Sequence, residues 1–352
     1  MRATPWLAAL FLLLPGGPGA AQDAAAPSTK GKLTWHAEAV VSAVIPTDGD
    51  SERDAELFWV GLAASWEKDG WGAEAEVRGT EGRFRPYFDG SLWLERGVAF
   101  VELPYGVGRL RAGKVAGIVG LPDRTFSGNL LTDNGFDRNP EWGASLEGSR
   151  RLGWNELSWA ARWAAENDHV GWEGEGRGAE SDEGAKLLDG FEGRVAYLLN
   201  KGLVTVRPGV FGTTARIRAP EGGTRLQRSD LGGELRATVG PVSVEALALR
   251  RDGDAGAART AGAPGEPRVA YDDGFAWLLA VDAEFPTVRY RYVYTEWRYL
   301  GTDGNERIHQ PGVVWTPVKG IEAAIEYSAR RRRNFDAVHT SNEIRLGLTA
   351  RF

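Results

Sequence analysis

The closing stretch of the chain, SNEIRLGLTARF, shows the pattern that constrains all the rest. Ile344, Leu346, Leu348, Ala350 and Phe352 alternate with Glu343, Arg345, Gly347, Thr349 and Arg351. Side chains of an extended strand point to opposite faces in turn, so this segment is apolar on one side and charged on the other. The same alternation sets Leu33, Trp35, Ala37, Ala39 and Val41 against Thr34, His36 and Glu38, and Trp71, Ala73, Ala75 and Val77 against Glu74, Glu76 and Arg78. It returns with Leu231, Leu235 and Val239 against Asp230, Glu234 and Arg236, and with Ile321, Ala323, Ile325 and Tyr327 against Glu322 and Glu326. No interior stretch sustains helical periodicity, so the chain is all-β.

The links between these segments alternate in length. Tight turns occur at Lys68-Asp69-Gly70, Gly106-Val107-Gly108, Arg151-Leu152-Gly153, Asn200-Lys201-Gly202, Gly240-Pro241, Phe285-Pro286 and Pro317-Val318-Lys319-Gly320. Longer polar segments separate them, among them GTEGRFRPYFDG, RRDGDAGAARTAGAPGEP and RRRRNFDAVHTS, the last opening on the Arg330 to Arg333 run. Counting between short and long links gives about sixteen strands, an even number with both termini on the short-turn side. Pro208 and Pro311 interrupt strand-like runs and are read as bulges or strand starts.

A ring of that size is too wide for side chains to fill. Its polar face therefore lines water, and its apolar face meets lipid, where closure satisfies every backbone group. The expected architecture is a transmembrane antiparallel β-barrel with short periplasmic turns and long extracellular loops. Stacked soluble sheets would account less well for the regular alternation of links. They would also leave unexplained the recurrence of tryptophan near strand ends, at Trp35, Trp66, Trp71, Trp142, Trp154, Trp297 and Trp315.

Composition fits an exported barrel. MRATPWLAALFLLLPGGPGAAQ reads as a secretory signal peptide over residues 1–21, leaving residues 22–352 as a single barrel domain. A mean hydropathy of -0.33 is no objection, because alternation dilutes the apolar face. The chain has no cysteine, so no disulfide scaffold holds it, and a net charge of -6 argues against a nucleic-acid partner. Four histidines stand without a G-x-S-x-G element, and EGEGRGAESDEG lacks calcium-loop spacing, so neither an enzyme nor a cofactor or metal site is expected.

Three resemblances sharpen the reading. The final segment resembles the C-terminal strand signal of outer-membrane proteins, which implies that Phe352 is recognised by the barrel assembly machinery of a Gram-negative bacterium. AGIVGLPDRTFSGNLLTDNGFDRN occupies the slot of the third external loop, which in general porins folds inward. That resemblance implies a constriction loop over residues 116–139, with Asp123, Arg124, Asp133, Asp137 and Arg138 opposing one another across the pore. VAFVELPYGVGRLRAGKVAGIVG is similar to a hairpin of the phosphate-selective porin O and P family, matching at Phe100, Val101, Glu102, Leu103, Leu110, Arg111, Gly113 and Lys114. The family implies a homotrimeric channel for small hydrophilic solutes or inorganic ions, with phosphate among the candidate anions.

The expected pore lining mixes both signs: Arg109, Arg111, Arg236, Arg289 and Arg291 with Glu74, Glu76 and Glu234. Glu147, Glu156, Glu245, Glu322 and Glu326 are placed on the same wall. Such a lining predicts at most mild ion selectivity. The alternative is a plugged barrel that acts through its loops as a surface binding or structural protein.

Overall fold

The computed structural model describes residues 31–47, 54–79, 92–120, 140–165, 186–218, 225–253, 274–299, 305–334 and 337–352. They form β1 (Lys32–Pro46), β2 (Asp54–Lys68), β3 (Trp71–Gly79), β4 (Leu92–Leu103), β5 (Gly108–Val115), β6 (Glu141–Leu152), β7 (Asn155–Ala164) and β8 (Lys186–Lys201). There follow β9 (Val204–Arg218), β10 (Arg225–Val239), β11 (Val242–Gly253), β12 (Gly274–Glu284), β13 (Val288–Tyr299), β14 (Asn305–Val318), β15 (Ile321–Asn334) and β16 (Ala337–Arg351). Each strand pairs antiparallel with its neighbours in sequence, and β16 returns to β1 to close a barrel of 16 strands.

Closure runs to the last residue. The Phe352 amide donates to the Ala37 carbonyl at 2.9 Å, and the Ala37 amide donates to Phe352 at 3.1 Å. Short turns use backbone conformations suited to twisted hairpins: Asp69 and Gly70, between β2 and β3, both have positive φ, at 51° and 82°.

Alternation decides which face is which. Leu33, Trp35, Leu62, Trp71, Leu231, Tyr290, Trp315, Ile325 and Leu348 are exposed on the outer wall, while their sequence neighbours turn to the interior. On the outer wall Trp66 packs edge-on against Trp71, with centroids 4.7 Å apart. Trp297 departs from the expected girdle: it is fully buried and faces inward, because register pairs it with the inward Ala276 and Glu306.

Two further expectations are corrected. Neither proline marks a bulge or a strand start. Pro208 lies within β9 opposite Leu235, and Pro311 within β14 opposite Tyr292. Register is kept through both, and the ladder to the other neighbour lapses where an amide would have donated. The RRRRNFDAVHTS segment is not a long loop, since β15 continues to Asn334 and β16 begins at Ala337. Charged side chains project from both faces of a strand without breaking its ladder, so the arginine run stays paired with β14 and β16.

Candidate functional site: the barrel interior

Register places every expected lining residue inside. Arg109, Arg111, Arg236, Arg289, Arg291, Glu74, Glu76 and Glu234 all share rows with inward neighbours. Asp123, Arg124, Asp133, Asp137 and Arg138 lie outside the described residues, as do residues 1–21, the expected signal peptide.

Over β2 to β6 the inner wall is a chain of ion pairs. Arg78 Nε donates to Glu76 at 2.8 Å, and its Nη1 lies 3.1 Å from Glu95. Arg96 spans Glu74 and Glu76 at 3.6 and 3.5 Å. Arg109 reaches Glu102 at 2.5 Å and Glu67 at 3.6 Å, with its guanidinium 4.2 Å from the Phe100 ring centroid. Arg111 donates to Glu147 at 2.6 Å. A register shift between Glu76 and Val77 in the β3–β4 ladder brings the consecutive Glu95 and Arg96 onto the same side. Trp93 Nε1 donates to Glu95 at 2.9 Å, so this indole serves the interior. A cavity of about 230 Å³ opens beside this wall, lined by His36, Ser65, Glu74 and Arg96.

At β6 to β8 the pairs become buried. Arg162, with a side chain only 2% exposed, donates to Glu192 at 2.5 Å and to Glu141 at 2.6 Å. The other Glu192 oxygen accepts the backbone amides of Ile118 and Val119 at 2.8 and 3.1 Å. The chain leaving β5 therefore turns into the barrel and is tied to β8, three strands along. Ile118 and Val119 are buried there in a cluster with Phe211 and the inner wall of β11 to β14.

That second arc carries an apolar cluster among inward polar groups such as Thr295, Gln310 and Glu306. Leu247 and Leu249 on β11, Ala276, Leu278 and Ala280 on β12, Val293 and Trp297 on β13 and Ile308 on β14 face inward and are buried. At its upper edge a desolvated ion pair joins Arg251 to Asp230 at 2.7 and 3.0 Å, with the guanidinium 4.9 Å from the Trp297 ring centroid.

Some inward cations make no short ion pair among the described residues, although Arg236 faces Glu245 and Arg291 faces Asp282 across their ladders. Arg207 on β9 and Arg236 on β10 stand directly opposite each other. Arg207 donates to Ser158 at 3.2 Å, and Arg236 makes no hydrogen bond or ion pair among the described residues. Arg291 lies 3.9 Å from Asp282, and its Nε and Nη2 are buried without a hydrogen bond, as is Arg289 Nε.

Arg78, Glu95, Arg96, Arg162, Glu192 and Arg207 were not among the expected lining residues. Glu192 and Arg194 alternate with the outward Phe191 and Val195, so strand periodicity could have found them. Glu95 could not be found that way, because the bulge reverses its facing.

No protein-family model matches the chain, and no curated protein matches it. Solved structures do. The chain is similar to an anion-selective porin from Comamonas acidovorans, with a TM-score of 0.62 at 13% identity over 92% of this chain and 100% of that one. It resembles OmpF of Salmonella typhi equally in TM-score, 0.62, at 15% identity over 92% and 98%. It also resembles OmpT of Vibrio cholerae in its trimer form, with a TM-score of 0.57 at 11% identity over 92% and 100%. At these identities the likeness is one of fold: a closed 16-strand β-barrel like those of the porins.

Proposed function

We propose that this barrel is an outer-membrane porin of a Gram-negative bacterium, passing small hydrophilic solutes and ions down their gradients through a water-filled lumen. The observation that carries this is the chain of inward, partly exposed ion pairs over β2 to β6 of a closed 16-strand barrel. Charged pairs that keep part of their surface in water are cheap to maintain, whereas the same groups packed into a filled core would carry a large desolvation cost. Transport by such a wall depends on radius and field, with no bond made or broken.

The field is nearly balanced, because most inward arginines neutralise a carboxylate. Selectivity is therefore weak, with an anion leaning that resides in Arg207 and Arg236, and phosphate is one anion that such a pair would pass. The tie of Ile118 and Val119 to Glu192 supports residues 116–139 as the inward constriction loop, with the five charges from Asp123 to Arg138 at its narrowest part. Three copies would assemble as OmpT does in its trimer form, inserted by the assembly machinery through Phe352.

Single-channel current in a planar bilayer tests the reading. Stable open steps and a reversal potential close to zero under a salt gradient are expected. A folded barrel that carried no current would replace it with the second reading, a plugged barrel acting through its surface. That reading draws on the buried, inward apolar wall of β11 to β14.

A further inference from the structure

The arginine run of β15 is split by the strand's own alternation. Arg330 and Arg332 face the interior, where Arg330 pairs with Glu306. Arg331 and Arg333 fall on the outer face with Ile325, Tyr327 and Ala329. On β14 the outer face carries Trp315, Val313, His309 and then Arg307, which stands directly opposite Arg331. Arg307 and Arg331 make no hydrogen bond or ion pair among the described residues. Two like charges side by side on a sheet repel, and among the described residues neither has a carboxylate partner that would offset this.

The acid nearest in register does not supply one. Glu296 faces Arg307 across the β13–β14 pair, but it accepts from Tyr294 at 2.5 Å and from Arg298 at 2.8 Å. Arg298 in turn lies over the Trp277 ring at 4.6 Å. Below this level Tyr292 and His309 satisfy each other at 2.7 Å, so the polar groups of the patch are internally used except for the two arginines.

Height identifies what lies outside. From Ile321 near the short-turn end to Ala329, a tilted strand climbs about 20 Å, and Arg331 sits at about 25 Å. The apolar belt of a membrane barrel is about 25 Å tall. Arg307 and Arg331 are therefore at the upper edge of the hydrocarbon, at the end bearing the long links, level with the head groups of the outer leaflet. Guanidinium groups bind phosphate oxygens in a planar, bidentate fashion, and two of them side by side fit a doubly charged phosphate monoester.

We propose that Arg307 and Arg331 form a docking site on the outer wall for a phosphate-bearing lipid head group of the outer leaflet. The site is separate from the lumen and does not depend on what the channel conducts. It fixes one lipid against β14 and β15, with its chains along Val313, Ile325 and Tyr327.

The test uses the full-length barrel in neutral detergent, with lipid A carrying both phosphates as the probe and the same lipid stripped of phosphate as its control. Native mass spectrometry counts retained lipid. Phosphorylated lipid is expected to be retained about tenfold better than the stripped form, the size of effect one charge-assisted pair supplies. In the double variant Arg307→Gln, Arg331→Gln that preference should vanish, while Arg330→Gln, Arg332→Gln from the same run, facing the lumen, should keep it. Equal retention of both lipids, retention unchanged in the outward variant, or displacement by millimolar inorganic phosphate would overturn the proposal. Should the outward variant not fold, salt titration of the unaltered protein decides: retention must fall as salt rises, and salt-independent retention refutes a phosphate contact.

Discussion

The inner wall of this barrel is two surfaces. Across β2 to β6 it is a lattice of arginines and glutamates with access to water; across β11 to β14 it carries a buried cluster of leucine, alanine, valine and tryptophan, with Thr295, Gln310, Glu306 and Arg251 buried among the same inward rows. A closed sheet imposes one inside and one outside, but it does not impose one chemistry on the inside. The polar arc is suited to water and ions. The apolar arc requires contact with protein, and Ile118 and Val119 supply part of that contact. Between the two stands Arg162, whose carboxylate Glu192 holds the backbone of those same residues.

This division can be broken at its hinge. Arg162→Ala strands Glu141 and Glu192 in a buried site and frees the Ile118 segment, and it should cost about 3–5 kcal/mol, the usual penalty for breaking a buried pair. Heat-induced mobility shift in gel electrophoresis should then occur at a lower temperature, with noisier single-channel current. An unshifted transition would mean the node holds nothing.

On the apolar arc, Leu278→Ala should cost about 3 kcal/mol through lost packing and the cavity left behind. Denaturant unfolding would show it, and a loss under about 1 kcal/mol would place Leu278 against water instead. On the polar arc, Arg109→Gln should cost no more than about 1 kcal/mol, since partly exposed pairs contribute little. Its effect belongs in conductance and in a shift of reversal potential toward cations. The smallest change in stability is expected from Arg236→Gln, since Arg236 makes no hydrogen bond or ion pair among the described residues, yet the reversal potential should move toward cation preference by more than for Arg109→Gln. Equal shifts would show that paired and unpaired arginines contribute alike to the field.

How much of this was legible in the sequence depends on whether the two faces differ. Where they do, as in TrpGlyAlaGluAlaGluValArg of β3, facing and register follow directly, and Glu74, Glu76 and Arg78 could be placed before any coordinates. In β12, GFAWLLAVDAE, both faces are apolar, so alternation carries no sign and the inward arc of Ala276, Leu278 and Ala280 could not be read. Trp297 was misplaced for the same reason: an aromatic near a strand end suits both a lipid girdle and a buried wall. Bulges are a second limit, since one extra residue reverses facing without a mark in composition, as at Glu95. The closure, the even strand number and the mixed lining came from repetition, which tolerates such local errors.

The pairing of β1 with β16 carries one more implication. Every other ladder joins strands adjacent in sequence, while this one joins Glu38 to Arg351 and Ala37 to Phe352. Hairpins can zip as soon as their own turn is made, but this seam must wait until the two ends of the chain meet, at the largest loop-closure entropy in the molecule. Assembly thus has a definite last event. Until it happens, β1 and β16 are open edges with their ladder groups unsatisfied, and an extended peptide matching either edge would compete for it and arrest the protein as an unsealed sheet.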